Sequence, residues 1–254
     1  MPMPEDDRAG GGGLSMEGLG FDFSMAFQPI VDLDANDVWA HEALVRGTDG
    51  QGAGWVLGQI TKANRYSFDQ SCRIKAIELA ARLGMRSRLS INFLPNAVYR
   101  AEAYIQGTLA SAMRHNFPLD RIIFEMTEDE RVVDNALLQS IFREYKRHGF
   151  LTAIDDFGAG YSGLSLLAEF QPDIIKLDME LTRNIHGDRA RRSIVRAILA
   201  VCRDLGIIPV AEGVETASEA RTLRDLGVTL MQGYLFARPA FEALMTEPPL
   251  AMSA

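Results

Sequence analysis

Between Phe150 and Asp178 the chain reads FLTAIDDFGAGYSGLSLLAEFQPDIIKLD, a spacing of carboxylates, glycines and one lysine that could do chemistry. The apolar run Phe150–Ile154 is short enough for a buried strand, and it delivers Asp155 and Asp156 at its C-terminal end. Gly158, Gly160 and Gly163 follow, then a short apolar helix. A second strand, Asp173–Leu177, carries Lys176 and ends at Asp178. Successive strand residues point to opposite faces, so two adjacent carboxylates here cannot both be ordinary surface residues. Side by side they need an opposing charge, for which a metal ion is the usual source. The other use of an Asp pair in this position is a helix N-cap followed by a solvated loop.

The elements that must position these residues alternate in type. Strand patterns cover Met25–Val31, Val38–Leu44, Leu89–Phe93, Arg121–Met126, Leu151–Ile154, Ile174–Leu177, Ile207–Ala211 and Thr229–Met231. Helices with an apolar face are predicted at Phe68–Leu83, Ala103–Asn116, Asn135–His148, Arg189–Leu205 and Ser218–Leu226. Gly84, Gly149, Gly206 and Gly227 fall just past helices, where a left-handed C-cap residue belongs. Helix, glycine and strand in repeated succession predict a parallel sheet, and this many strands in one chain fit a closed (β/α)8 barrel. Only Asp32–Asp37 separates the first two strands, too little for a helical crossover, so an antiparallel hairpin and an irregular barrel are expected.

In such a barrel the active site forms where strands end at the C-terminal face. The strand ends here carry Glu42, Asn92, Glu125 with Glu128, Asp155 with Asp156, Lys176 with Asp178, Glu212 with Glu215, and Gln232. So regular a series reads as one convergent site. Its ligands are oxygens, without His or Cys, which selects a hard cation, Mg²⁺ or Mn²⁺, over zinc. The carboxylates suffice for two ions, the arrangement used for in-line displacement at phosphorus. Lys176 could orient a water, or simply pair with Asp178.

Composition narrows the rest. A net charge of −8 and the lack of a basic tract argue against DNA and against a charged membrane surface. No apolar run is long enough for a membrane span. Cys72 and Cys202 lack ligand spacing, so a reduced, cytoplasmic setting is expected. Residues 1–20, rich in Pro, Gly and acid, read as a flexible leader or linker before a domain spanning 21–254.

From about Phe23 to Glu242 the chain resembles the EAL domain, the bacterial module that cleaves the second messenger cyclic di-GMP to linear pGpG. The motifs in order are QPI, EAL at Glu42–Leu44, NFLP, EMTE, DDFGAGYSGLSLL, KLD, AEGVE and QGYLFARP. EALVRGTDG and NRYSFDQSCR are most similar to EAL domains coupled to blue-light sensors. The resemblance implies that Glu42, Asn92, Glu125 and Asp155 hold one metal ion and Asp156 the second. Glu212 would ligate or steer the water between them, with Lys176 touching it. It further implies substrate contacts from Gln28, Leu44, Arg46, Asp178, Glu215 and Gln232. Glu128 would pin the glycine-rich loop and link metal occupancy to a homodimer contact. Independently of the resemblance, an all-oxygen site should accept Ca²⁺ and be inhibited by it. The Gly-rich leader suggests either a sensory or regulatory partner chain or a domain excised from a longer protein. Ala159 and Gly163 replace the Thr and Ser common in that loop, and neither is a ligand position. Two other readings stay open: a receptor that binds cyclic di-GMP uncut and signals through a protein partner, and a barrel enzyme using Lys176 as a Schiff-base lysine.

Overall fold

A computed structural model of the chain describes residues 19–95, 101–127, 135–160 and 163–245. Its strands are β1 (Phe23–Asp32), β2 (Asp37–Gly47), β3 (Arg88–Asn92), β4 (Ile122–Thr127), β5 (Leu151–Phe157), β6 (Ile174–Leu177), β7 (Ile208–Ala211), β8 (Leu230–Met231) and β9 (Ala240–Phe241). They form one sheet ordered β2-β3-β4-β5-β6-β7-β8-β1-β9, and a further β1–β2 pairing closes β1 to β8 into a barrel. Strand β1 runs antiparallel to both β2 and β8, whereas β2 to β8 are mutually parallel. The expected irregular (β/α)8 barrel is therefore the observed one. Its reversed strand follows from the short turn after Asp32, whose carboxylate accepts the Asp34 and Ala35 backbone N–H groups.

Helices α1 (Ala53–Leu57), α2 (Arg65–Arg82), α3 (Ala101–Arg114), α4 (Asn135–Arg147), α5 (Gly163–Glu169), α6 (Met179–Thr182), α7 (Arg189–Leu205) and α8 (Ala217–Leu226) connect the strands. The five longer ones lie within a few residues of the predicted spans. Helices α7 and α8 end on Gly206 (φ 70°) and Gly227 (φ 101°), left-handed caps that a β-carbon would strain. Helices α1 and α6 and strand β9 are too short to show a period, and the sequence reading does not contain them. Strand β9 pairs with β1 through Ala26 and Phe27, beyond the reach of the two-residue β8. None of the helices among the described residues is long and apolar enough to cross a membrane.

The apolar interior has two parts. The larger fills the space between sheet and helices, and the smaller lies inside the barrel: Ile30, Ala40, Ile123, Ala153, Ile174, Val210 and Leu230. That inner layer is the floor of the site.

Candidate active site

Strand side chains alternate between faces, so the residue two positions beyond each floor residue also points inward, one layer higher. The offset takes Ala40 to Glu42, Ile123 to Glu125, Ala153 to Asp155, Ile174 to Lys176, Val210 to Glu212 and Leu230 to Gln232. On the reversed β1 it takes Ile30 back to Gln28. A ring of polar groups is thereby stacked on the apolar floor at the C-terminal mouth. Lys176, 1% exposed, stands at its centre. Its Nζ lies 2.7 Å from Glu212 Oε1, 2.9 Å from Asp155 Oδ1, 3.1 Å from Glu125 Oε2 and 3.5 Å from Glu42 Oε2.

The adjacent aspartates both reach this mouth because the strand does not continue regularly. Asp156 adopts φ 53°, and the β5–β6 register shifts between Ile154 and Phe157. A left-handed residue at a bulge re-aims its side chain, at the expense of local strain. Asp155 stays in the inward series, while Asp156 is turned toward the cleft instead of the helices.

Lys176 is held charged. Burial alone would depress its ammonium, but Asp155, Glu125, Glu212 and Glu42 together raise it well above its ordinary value. A Schiff-base lysine must lose its proton, so this setting opposes that reading. Burial pushes Glu125 and Glu212 well above the usual carboxylate range, despite Lys176. Burial, then the Asp155 and Asp178 charges, raise Asp156 to about 6. A carboxyl whose folded value exceeds its unfolded one favours the fold when protonated and weakens it as pH rises through about 6. Asp156→Asn is thus expected to raise the Tm of metal-free protein near pH 7 by about 2–4 °C, or about 1 kcal/mol after discounting for its half-exposed position. Near pH 4 the variant and the parent should melt together. Thermal scans at the two pH values check this.

The donor set suits hard cations. Glu42, Glu125 and Asp155 can bring one oxygen each within 4.8 Å of one another, as can Asp155, Asp156 and Glu212, so Asp155 belongs to both triads. Asp155 Oδ1 and Gln232 Oε1 are buried without a hydrogen-bond donor; the Lys176 ammonium is at ion-pair distance from the first but is not aligned to it. Such orphaned oxygens are what a cation would satisfy. Asn92 Nδ2 donates to Glu42 Oε1 (3.2 Å) and Glu125 Oε1 (3.1 Å), so ligation through Oδ1 requires its amide to turn over.

Two cavities of about 370 Å³ each meet at this centre, both lined by Glu42, Leu44, Asp155 and Asp156. One continues past Gln28, Asp178, Glu212, Glu215, Gln232 and the half-exposed Tyr234. The other runs between β2, α1 and α2 over Phe68, Ile91 and Phe93. Gln232 Nε2 donates to Glu42 Oε2 (2.7 Å) and Gln28 Oε1 (3.2 Å). Asp178 caps α6 by accepting Glu180 N–H, and Glu215 pairs with Arg183 at the rim (2.8 Å). Arg46 Nη1 donates to the Val45 carbonyl, and neither cavity includes Arg46 in its wall. Glu128 lies outside the described residues.

Several supporting residues escaped the sequence reading. Ser90 Oγ donates to Glu125 Oε2 (2.7 Å), and Thr182 Oγ1 donates to the Glu212 carbonyl (2.6 Å). Buried Asp69 accepts the Leu94 N–H (2.9 Å) and the Tyr104 hydroxyl, and pairs with Arg73 (3.2 Å). It thereby anchors the backbone two residues beyond Asn92. The visible signal was a charged pair four residues apart on the apolar face of a predicted helix. Asp69→Asn is expected to weaken Mn²⁺ binding about tenfold, the usual loss for a supporting residue. Calorimetric titration of Mn²⁺ into the folded variant checks it.

A barrel with an oxygen-lined centre at its C-terminal mouth has its polar groups where such barrels carry their sites, and its donors suit a hard cation. The model of the EAL domain matches residues 19–239, and the chain belongs to that family. A standalone EAL protein from Vibrio cholerae O395, solved with c-di-GMP bound, is 53% identical and superposes with a TM-score of 0.89 over 92% of this chain and 99% of that one. Klebsiella pneumoniae BlrP1 in a manganese/cy-diGMP complex is 38% identical, with a TM-score of 0.83 over 88% of this chain and 57% of that one; a calcium/cy-diGMP complex of BlrP1 superposes equally well. Escherichia coli PdeR, a cyclic di-GMP phosphodiesterase, is 38% identical over 157 residues, 61% of this chain and 23% of that protein. The E. coli blue light- and temperature-regulated antirepressor BluF is 33% identical over 84% of this chain. The chain spans about half of BluF, 53%, and less of PdeR.

Proposed function

We propose that this domain hydrolyses cyclic di-GMP to linear pGpG with two divalent cations, Mg²⁺ or Mn²⁺. The observation that carries the reading is the pair of carboxylate triads sharing Asp155 at the junction of two equal cavities. A cyclic dinucleotide has two nucleoside halves joined by phosphodiesters, so each half can occupy one cavity while a phosphodiester lies over the centre. The manganese and calcium complexes of BlrP1 support a hard-cation site.

When bound, the cations supply Lewis-acid charge and an acidified water. Glu42, Asn92, Glu125 and Asp155 would hold one ion, and Asp156, with the shared Asp155, would hold the other, while Glu212 would ligate or steer the water. Lys176 keeps its proton, so its part is to orient a water oxygen and to offset carboxylate repulsion, not to act as a base. Gln232 fixes Glu42, and Gln28 fixes Gln232. Leu44, Asp178 and Glu215 line the cleft against the substrate. Arg46 must swing from the Val45 carbonyl to reach a phosphate oxygen, where its paired donors suit the geometry. Glu128 is assigned to holding the glycine-rich loop. A homodimer, a cytoplasmic location and a regulatory partner belong to the same reading.

Incubation with cyclic di-GMP and Mg²⁺ or Mn²⁺, followed by chromatography, tests it. The expected result is pGpG that appears only with metal. Tight binding without cleavage would establish the receptor reading instead, and neither binding nor cleavage would overturn both.

A further inference from the structure

At the opposite, N-terminal mouth of the barrel, the strand starts carry arginines. Arg88 on β3 and Arg121 at the end of the turn before β4 each come one residue before the paired Leu89 and Ile122, which brings them to the same end of the barrel. Arg88 lies two positions below Ser90, in the inward series of β3, whereas the exposed Arg121 projects from the 3-10 turn Leu119–Arg121 that leads into β4. With Arg86 they line one polar cavity of about 320 Å³, shared with Trp39, Ser87 and Asp120. Among the described residues, none of these three guanidinium groups has an ion-pair partner; the interaction found is Arg88 stacked 4.7 Å from the Trp39 ring centroid. The lining also holds Asp32 and Asp37, so three carboxylates share the cavity with three arginines; Asp32 accepts Asp34 and Ala35 N–H, and Asp37 accepts Val38 N–H.

We propose that this mouth is a second ligand site, for a phosphate monoester. Three guanidinium groups approach from β3 and from the turns before β3 and β4, out of one plane, which suits a tetrahedral anion better than a planar carboxylate. A tetrahedral phosphate presents three peripheral oxygens to guanidinium forks. The volume falls within the range of small-molecule sites, leaving room for an organic group against Trp39. The floor of Ile30, Ala40, Ile123, Ala153, Ile174, Val210 and Leu230 separates it from the carboxylate centre, so the site does not depend on the proposed hydrolysis.

The chain contains two tryptophans, so a Trp55→Phe background leaves Trp39 as the sole indole reporter. Metal-free protein in EDTA would be titrated with ribose 5-phosphate, with inorganic phosphate, and with sodium chloride at matched ionic strength. The expected result is a saturable change in Trp39 emission with ribose 5-phosphate, weaker binding of inorganic phosphate, and none with chloride. Arg88→Ala should weaken the binding about tenfold or more. Because that change also removes the stack on Trp39, Arg86→Ala with Arg121→Ala serves as a second variant that keeps it, and should weaken binding at least as much. Absence of saturation, an equal response to chloride, inorganic phosphate binding as tightly as the ester, or unchanged affinity in both variants overturns the proposal.

Discussion

Asp155→Asn is expected to reduce cyclic di-GMP hydrolysis by about 10³-fold or more while leaving the barrel folded. Asp155 is the one carboxylate common to both triads, so its loss removes an anionic ligand from each ion at once. An amide retains the size and one oxygen but not the charge, and it replaces an acceptor with a donor facing cations. Loss of a few kcal/mol of transition-state charge stabilisation corresponds to about 10²–10³ for each contact removed. Folding should survive because the site is a crowd of like charges around one ammonium. Lys176 still has Glu42, Glu125 and Glu212 within 3.5 Å. Turnover measured beside far-ultraviolet circular dichroism and metal titration checks the claim. Near-parental kcat in a folded variant would remove Asp155 from the reaction.

Ca²⁺ is expected to occupy the same oxygens and suppress turnover about 100-fold, with substrate still bound. Every proposed ligand atom is an oxygen, which Ca²⁺ accepts. It prefers distances of about 2.3–2.6 Å and loose, high coordination, against about 2.0–2.1 Å and near-octahedral geometry for Mg²⁺. Longer bonds acidify water less and displace it from the line of attack, and a misplacement of about 1 Å can cost 10²-fold. The rigid floor makes this sharper, because strands β4 to β7 are packed at that layer and cannot spread to fit a larger ion. Adding Ca²⁺ to a Mg²⁺-supported reaction, with substrate binding followed in parallel, tests both halves. Full activity at saturating Ca²⁺ would sink the two-ion site; joint loss of binding and activity would sink the claim that the substrate complex persists.

Much of the architecture was legible because it is written in local periodicity. Alternation of period two, helical period, C-cap glycines and one short connection specify strands, helices and the reversed β1 without any knowledge of contacts. Strand-end residues were legible for the same reason: the chain order of Glu42, Asn92, Glu125, Asp155, Lys176, Glu212 and Gln232 is their order around the mouth. The EAL motifs reinforced what that spacing already implied.

What tertiary structure alone decided are relations between residues far apart in the chain. Lys176 and Glu42 are 134 positions apart, and Gln232 and Glu42 are 190 apart, so no local pattern reports that they touch. The reading that paired Lys176 with Asp178 gives way to a lysine shared among four carboxylates, because Lys176 points inward from β6, which ends at Leu177, and the chain turns at Asp178 to cap α6. The left-handed turn at Asp156 is equally invisible in sequence, since an Asp there has no composition signal and its conformation is imposed by the shifted β5–β6 pairing. Ser90, Asp69 and the two-lobed cleft depend on which strands and helices become neighbours once the barrel closes. Sequence specifies each strand's inward residues through short-range geometry; closure brings those residues within reach of each other, and only at that distance do charge, desolvation and hydrogen bonding act on them.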